Sequence, residues 1–185
     1  MSSMTKKRAL LMGNGANSYV QSKMKLGAAN NYLNPNMWFN EVETKSCVLQ
    51  ARAEISSMYK GKTVSIIEYT LKKAAILENT GCGNCHEQAS LAFAWLIKNR
   101  VGPIEIMHFS NADHVFCVLN RSILTKVENP DQWNEDSVYC DPWRNTVTLG
   151  RDMARSNRNS ALGFGSKKYH FSVMVRVEAN SKRTI

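Results

Sequence analysis

Cys85 stands in the segment Gly81-Cys82-Gly83-Asn84-Cys85-His86-Glu87-Gln88-Ala89, directly ahead of an apolar helical pattern made by Ala89, Ala92, Phe93, Leu96 and Ile97. Glycine on both sides of Cys82 lets the chain turn sharply and lets a ligand approach the backbone. A sulfur at the start of a helix lies at the positive end of the helix dipole, which favours the thiolate. The N–H groups of that first turn have no carbonyl within the helix to bond, and so could hold an oxyanion. Such a cysteine is placed for nucleophilic attack on a carbonyl carbon.

A nucleophile of this kind needs a base that also protonates the leaving group, and the base needs an orienting acceptor. His86 follows the cysteine directly and points around the helix away from it, which makes it a poor base. His108 and His114 flank an expected turn over Ser110, Asn111, Ala112 and Asp113. His114 is preferred, because it opens the apolar run Val115-Phe116-Cys117-Val118-Leu119 that would hold it firmly. Asp141 ends the next apolar run, Val138-Tyr139-Cys140, and could reach the imidazole from a neighbouring strand. Cys85, His114 and Asp141 are thus the catalytic candidates, in the order nucleophile, base and orienter. Asp141 also precedes Pro142, where an aspartate can simply begin a turn. Asn84 and Gln88 are near enough to Cys85 to offer a further oxyanion donor. Asn84 and Trp143 are the substrate-binding candidates, although Trp143 and Trp133 could equally pack in the core.

Gly83-Asn84-Cys85 opening a helix, Asp113-His114-Val115-Phe116 entering a strand, and Tyr139-Cys140-Asp141-Pro142-Trp143 after it resemble the transglutaminase-like branch of the papain-like superfamily of cysteine hydrolases. They are also similar to bacterial effector and toxin deamidases built on that core. The resemblance covers about residues 81–143. It implies a papain-like core and a protein substrate, expected in a host cell reached through a specialised secretion system. It also implies hydrolysis of a glutamine or asparagine carboxamide, with proteolysis and transglutamination as neighbouring outcomes. Transglutaminases often carry Trp directly after the cysteine, and His86 at that position weighs against crosslinking.

Other chemistries compete for the same residues. Cys82-Gly83-Asn84-Cys85-His86 spells a c-type haem attachment pattern, but haem attachment normally requires export and no export signal is visible. Cys82 and Cys85 could bind zinc with Cys117, Cys140 or a histidine, yet there is no second close-spaced pair. A redox dithiol would need a preceding strand, whereas helical patterns precede this one. A binding or adaptor protein with an incidental triad is the alternative outside catalysis. No metal and no cofactor enter the preferred reading.

The elements that must position these residues form an α+β pattern. Helical spacing runs over Glu41–Tyr59, Thr63–Asn79 and Cys85–Asn99, and the first two read as an antiparallel helix pair. Alternation then predicts strands at Ile104–Phe109, Val115–Leu119, Val138–Cys140, Thr146–Leu149 and Tyr169–Val177. In the last of these, Phe171, Val173, Val175 and Val177 should share one face. Helices first and an antiparallel sheet afterwards give an α+β class with N-terminal helices packed on the sheet. The 185 residues suit a single domain, with the core at about 41–178. Residues 1–40, rich in Asn, Ser, Gly and Lys and broken at Gly13-Asn14-Gly15, are expected to be a loop-like or poorly ordered extension.

Five cysteines in a chain without a cleavable signal peptide read as reduced thiols. Cys47, Cys117 and Cys140 are expected as small buried side chains, and His108 and His170 as satisfied strand residues. A net charge of +9 would suit an acidic partner. The basic residues are nevertheless scattered over Lys6–Arg8, Arg151, Arg155, Arg158, Lys167, Lys168, Lys182 and Arg183, without the aromatic interleaving of a nucleic-acid groove. No specific nucleic acid and no membrane span are expected, and the sequence does not give the oligomeric state.

Overall fold

The computed structural model describes residues 4–28, 41–153 and 170–178. Among the described residues, four α-helices and a five-stranded antiparallel sheet give a mixed α+β class. The helices are α1 (Lys6–Lys23), α2 (Glu41–Tyr59), α3 (Ile66–Thr80) and α4 (Cys85–Lys98). The strands are β1 (Ile104–Phe109), β2 (His114–Leu119), β3 (Val138–Asp141), β4 (Thr146–Leu149) and β5 (Phe171–Val177), and their order across the sheet is β4-β3-β2-β1-β5. Arg155, Arg158, Lys167, Lys168, Lys182, Arg183, the Tyr169 start of the last expected strand and the Asn30–Asn36 loop lie outside the described residues.

Residues 6–23, expected as part of a loop-like extension, are helix. Thr5 caps the first turn of α1, its hydroxyl accepting the Arg8 N–H. The glycines do not break this helix because they lie on its packing face. A Cβ at Gly13 would stand 2.9 Å from Val147 Cγ1, and one at Gly15 would stand 2.7 Å from the Trp95 ring. Their missing side chains let α1 lie close on β3, β4 and α4, and that close packing outweighs the low helix propensity of glycine.

The sheet carries a core on each face. On the helix side, Ala9, Ala16 and Val20 of α1 and Ala89, Ala92, Phe93 and Leu96 of α4 pack against Ile104, Ile106, Val115, Cys117, Leu119, Val138 and Cys140. On the other side, Met107, Phe109, Phe116, Tyr139 and Phe171 meet Trp133 and Met153 from the connecting segments. Burial of each such large apolar side chain contributes roughly 1.5–3 kcal/mol. Trp133 is therefore a core residue, with its indole N–H donated to the Lys126 carbonyl at 3.0 Å.

β5 departs from the expected alternation. Ile106 pairs with Val175 but Met107 pairs with Val173, so Met174 is an extra residue in the ladder. The bulge switches the strand's faces: Phe171 joins the second core, whereas Val175 and Val177 join the helix-side core. Val173 and Met174 are left exposed. His170 precedes the strand and is exposed, its N–H bonded to Asn111 Oδ1.

A disulfide joins Cys47 of α2 to Cys82, with Cα atoms 6.2 Å apart. This corrects the reading of all five thiols as reduced and of Cys47 as a plain buried side chain. An odd count forbids complete pairing but leaves any two cysteines free to pair, and the fold brings these two together. Closing a loop of this length contributes about 2–4 kcal/mol. Replacing both residues by alanine is expected to lower unfolding stability by that amount in urea, and an unchanged midpoint would show that the link stabilises nothing.

Candidate active site

Cys85 is the first residue of α4, and the loop before it is fixed from several directions. The Gly83 N–H donates to the Gly27 carbonyl at 3.0 Å, and Leu26 N–H donates to the Gly81 carbonyl at 2.9 Å. The Glu87 carboxylate reaches back to accept the Asn84 N–H at 3.0 Å, and the Arg52 guanidinium holds that carboxylate in a two-pronged pair at 3.0 Å each. Together with the disulfide, this ties the loop to α2 at two points. Gln88 is buried and its amide donates to the Gly83 carbonyl at 2.9 Å. Gln88 therefore shapes the loop, spending on Gly83 an amide N–H that the sequence left open to an oxyanion.

The structure brings Cys85, His114 and Asp141 together. His114 opens β2 and is 2 % exposed, while Asp141 at the end of β3 is fully buried. His114 Nε2 lies 2.6 Å from Asp141 Oδ2. The same oxygen accepts the Tyr139 hydroxyl at 2.5 Å, and Oδ1 accepts the Arg144 N–H at 3.3 Å. Asp141 thus begins a turn and orients the histidine with the same carboxylate. With Nε2 engaged there, Nδ1 is the ring nitrogen left to face the Cys85 sulfur, which lies close enough to favour the imidazolium. Cys85 Sγ also lies 3.9 Å from the Asp113 carbonyl.

Burial alone would disfavour the His114 imidazolium. The Asp141 carboxylate and the Cys85 sulfur overcome it and raise the His114 pKa to about 9. The Tyr139 phenol is held well above its usual value, first by burial and then by the Asp141 charge, so it remains a hydrogen-bond donor. The other two free thiols lie near the same Asp141 charge but do not line the cleft. Cys117 and Cys140 are completely buried, donate to the Ala89 and Gly13 carbonyls, and have pKa values pushed up by burial and neighbouring negative charge.

In front of Cys85 opens a cleft of about 320 Å³. It is lined by Arg52 of α2, by Asn84, Cys85 and His86 at the start of α4, and by His108, Asp113, Val115 and Met174 from the strands and their turn. Asn84 lines the cleft. Trp143 is not among the lining residues: its ring packs on His114, with centroids 5.2 Å apart, and against the helix-side core. It shields the back of the histidine. His108, expected as a satisfied strand residue, faces the cleft and pairs with Asp113 at 3.2 Å. Asp113 adopts left-handed backbone at φ 46°, a conformation tolerated by Asp, which turns its carbonyl toward Cys85. Met174 reaches the cleft from the β5 bulge, which alternation conceals. Arg52 also escaped sequence reasoning, since nothing in the α2 pattern marks it.

The disulfide takes the Cys82 sulfur out of any CxxC pair, whether for zinc, haem or a redox dithiol with Cys85. No helix among the described residues is long and apolar enough to cross a membrane.

No protein-family model matches the chain, and no curated protein matches its sequence. The functional reading therefore stands on the site itself.

Proposed function

We propose that the chain is a cysteine hydrolase acting on amide carbonyls, with protein glutamine or asparagine side chains as the favoured substrates. The observation that carries this reading is the convergence of a helix-start thiol, a buried imidazole and a buried carboxylate that is hydrogen-bonded to the imidazole. The order of elements, with the thiol on a helix and the histidine and aspartate on adjacent strands, supports a papain-like arrangement.

In this mechanism the Cys85 thiolate attacks the carboxamide carbon, a C–S bond forms, and the carbonyl electron pair moves to oxygen. The free backbone N–H at the start of α4 stabilises that oxyanion. When the oxyanion collapses, the C–N bond breaks and the His114 imidazolium gives its proton to the departing ammonia. Water then attacks the thioester as His114 takes a proton from it, and collapse of the second oxyanion releases a carboxylic acid and the Cys85 thiolate. Asp141 holds the ring so that Nδ1 faces sulfur throughout. Asn84 lines the substrate side of the cleft.

Preference for deamidation over proteolysis rests on the resemblance to effector deamidases and the polar lining of the cleft. Wild-type protein incubated with host-cell extract is expected to convert Gln to Glu or Asn to Asp in a small set of proteins, as read by mass spectrometry, with the changes absent for Cys85→Ala. Cysteine-dependent cleavage fragments without deamidation would instead make the chain a protease, and cysteine-dependent Gln–Lys crosslinks would make it a transglutaminase.

A further inference from the structure

The oxyanion formed at Cys85 needs more than one donor, and the structure leaves few groups to supply the second. The first backbone bond inside α4 runs from Gln88 N–H to the Asn84 carbonyl, so the Cys85 N–H precedes the helix ladder. Gln88 is buried and spends an amide N–H on the Gly83 carbonyl, Arg52 points Nε and Nη2 at Glu87, and His108 is paired with Asp113. The Asn84 side chain turns to the first turn of α4 as its cap. The His86 ring lines the cleft together with Cys85 and, among the described residues, forms no hydrogen bond.

Resting on the hydrolase reading above, we propose that His86 is a catalytic residue whose ring N–H donates to the substrate oxygen as it becomes the oxyanion. Its role is electrophilic, distinct from the proton transfer assigned to His114. The protonation state agrees: burial first, then the cations of Lys73 and Arg52, lower the His86 pKa to about 4, against the raising pull of Glu87. A neutral imidazole keeps one N–H to donate and carries no charge that would compete with His114 for the thiolate. A neighbour with a donor suits a carboxamide or ester oxygen alike, because both build negative charge at the same position when sulfur attacks.

Two reactions separate this role from support of the thiol. Attack on p-nitrophenyl acetate forms a thioester and expels nitrophenolate through an oxyanion. Alkylation by iodoacetamide displaces iodide from a saturated carbon without one. For His86→Ala the nitrophenolate burst is expected to slow about 100-fold, while the alkylation rate of Cys85 stays at the wild-type level. His86→Gln, which keeps a neutral N–H donor, is expected to regain part of the burst rate. An unchanged burst in His86→Ala, a parallel fall in alkylation, or a loss confined to Asn84→Ala would each overturn the assignment. Wild-type protein that gives no burst would overturn both this assignment and the hydrolase reading. A normal His86-dependent burst without hydrolysis of any protein carboxamide would leave His86 in place and remove only the choice of substrate.

Discussion

Replacing His114 by alanine is expected to slow thioester formation at Cys85 by about 1,000-fold at neutral pH, within the range for a positioned acid and base. The effect is large because, in the proposed mechanism, one ring performs three tasks: it pairs with the Cys85 sulfur, carries the proton for ammonia and later activates water. The pH dependence follows from the shift. With a folded pKa of about 9, His114 is protonated at neutral pH and loses its proton as pH rises through that value. Acylation is therefore expected to fall in the alkaline limb as the imidazolium disappears. Stability has the same sign. The folded pKa lies above the ordinary histidine value of 6.5, so protonation favours the folded chain fully below about 6.5 and progressively less up to about 9. Thermal melts of wild type should lose stability across that interval, and His114→Ala should lack this component. A wild-type curve flat across the interval would contradict the assigned coupling to Asp141 and Cys85.

Glu105→Ala should destabilise the fold more than any single change at the cleft, by about 3–5 kcal/mol. Glu105 lies on β1 and is 1 % exposed. Its carboxylate receives both Nε and Nη2 of Arg121 at 2.7 Å and Nη1 of Arg176 at 2.5 Å. Arg121 is itself buried and uses Nη1 on the Thr125 carbonyl, which anchors the segment after β2. Arg176 stands opposite Glu105 in the β1–β5 register, so the carboxylate joins the edge strand to this segment. Removing the anion leaves a buried guanidinium without its partner, the expensive way to break such a cluster. For a chain of this size that corresponds to roughly 10 °C in Tm. A Tm within about 2 °C of wild type, less than 1 kcal/mol by the same scaling, would show that the cluster is neutral to stability.

Much of the architecture was legible because periodicity reports burial directly. Alternating apolar residues marked β1 to β4 to within a residue or so, and the helical patterns marked α2 to α4. The three residues read as catalytic could be found because each sits at an element boundary, where one side chain can be both anchored and exposed to a site. Features that depend on close approach were hidden. Gly13 and Gly15 read as breakers because the sequence does not reveal that β4 and Trp95 occupy the space beside them. Cys47 and Cys82 are separated by 35 positions, and only the packing of α2 beside the Cys85 loop shows that they meet. The Met174 bulge inserts one residue into a regular pattern, which changes the facing of β5 while leaving its composition strand-like. Trp143 shows the same limit: the sequence left a substrate groove and core packing equally open, and only the fold shows its ring packing on His114.

The central claim is that Cys85 is a nucleophile activated by His114, and competitive alkylation tests it most directly. Folded protein is treated with limiting iodoacetamide at neutral pH, and modification of Cys85, Cys117 and Cys140 is followed by peptide mass spectrometry. Cys85 is expected to be consumed well ahead of the two fully buried thiols and to react markedly more slowly in His114→Ala. Equal rates for all three thiols, or a Cys85 rate indifferent to His114, would contradict it.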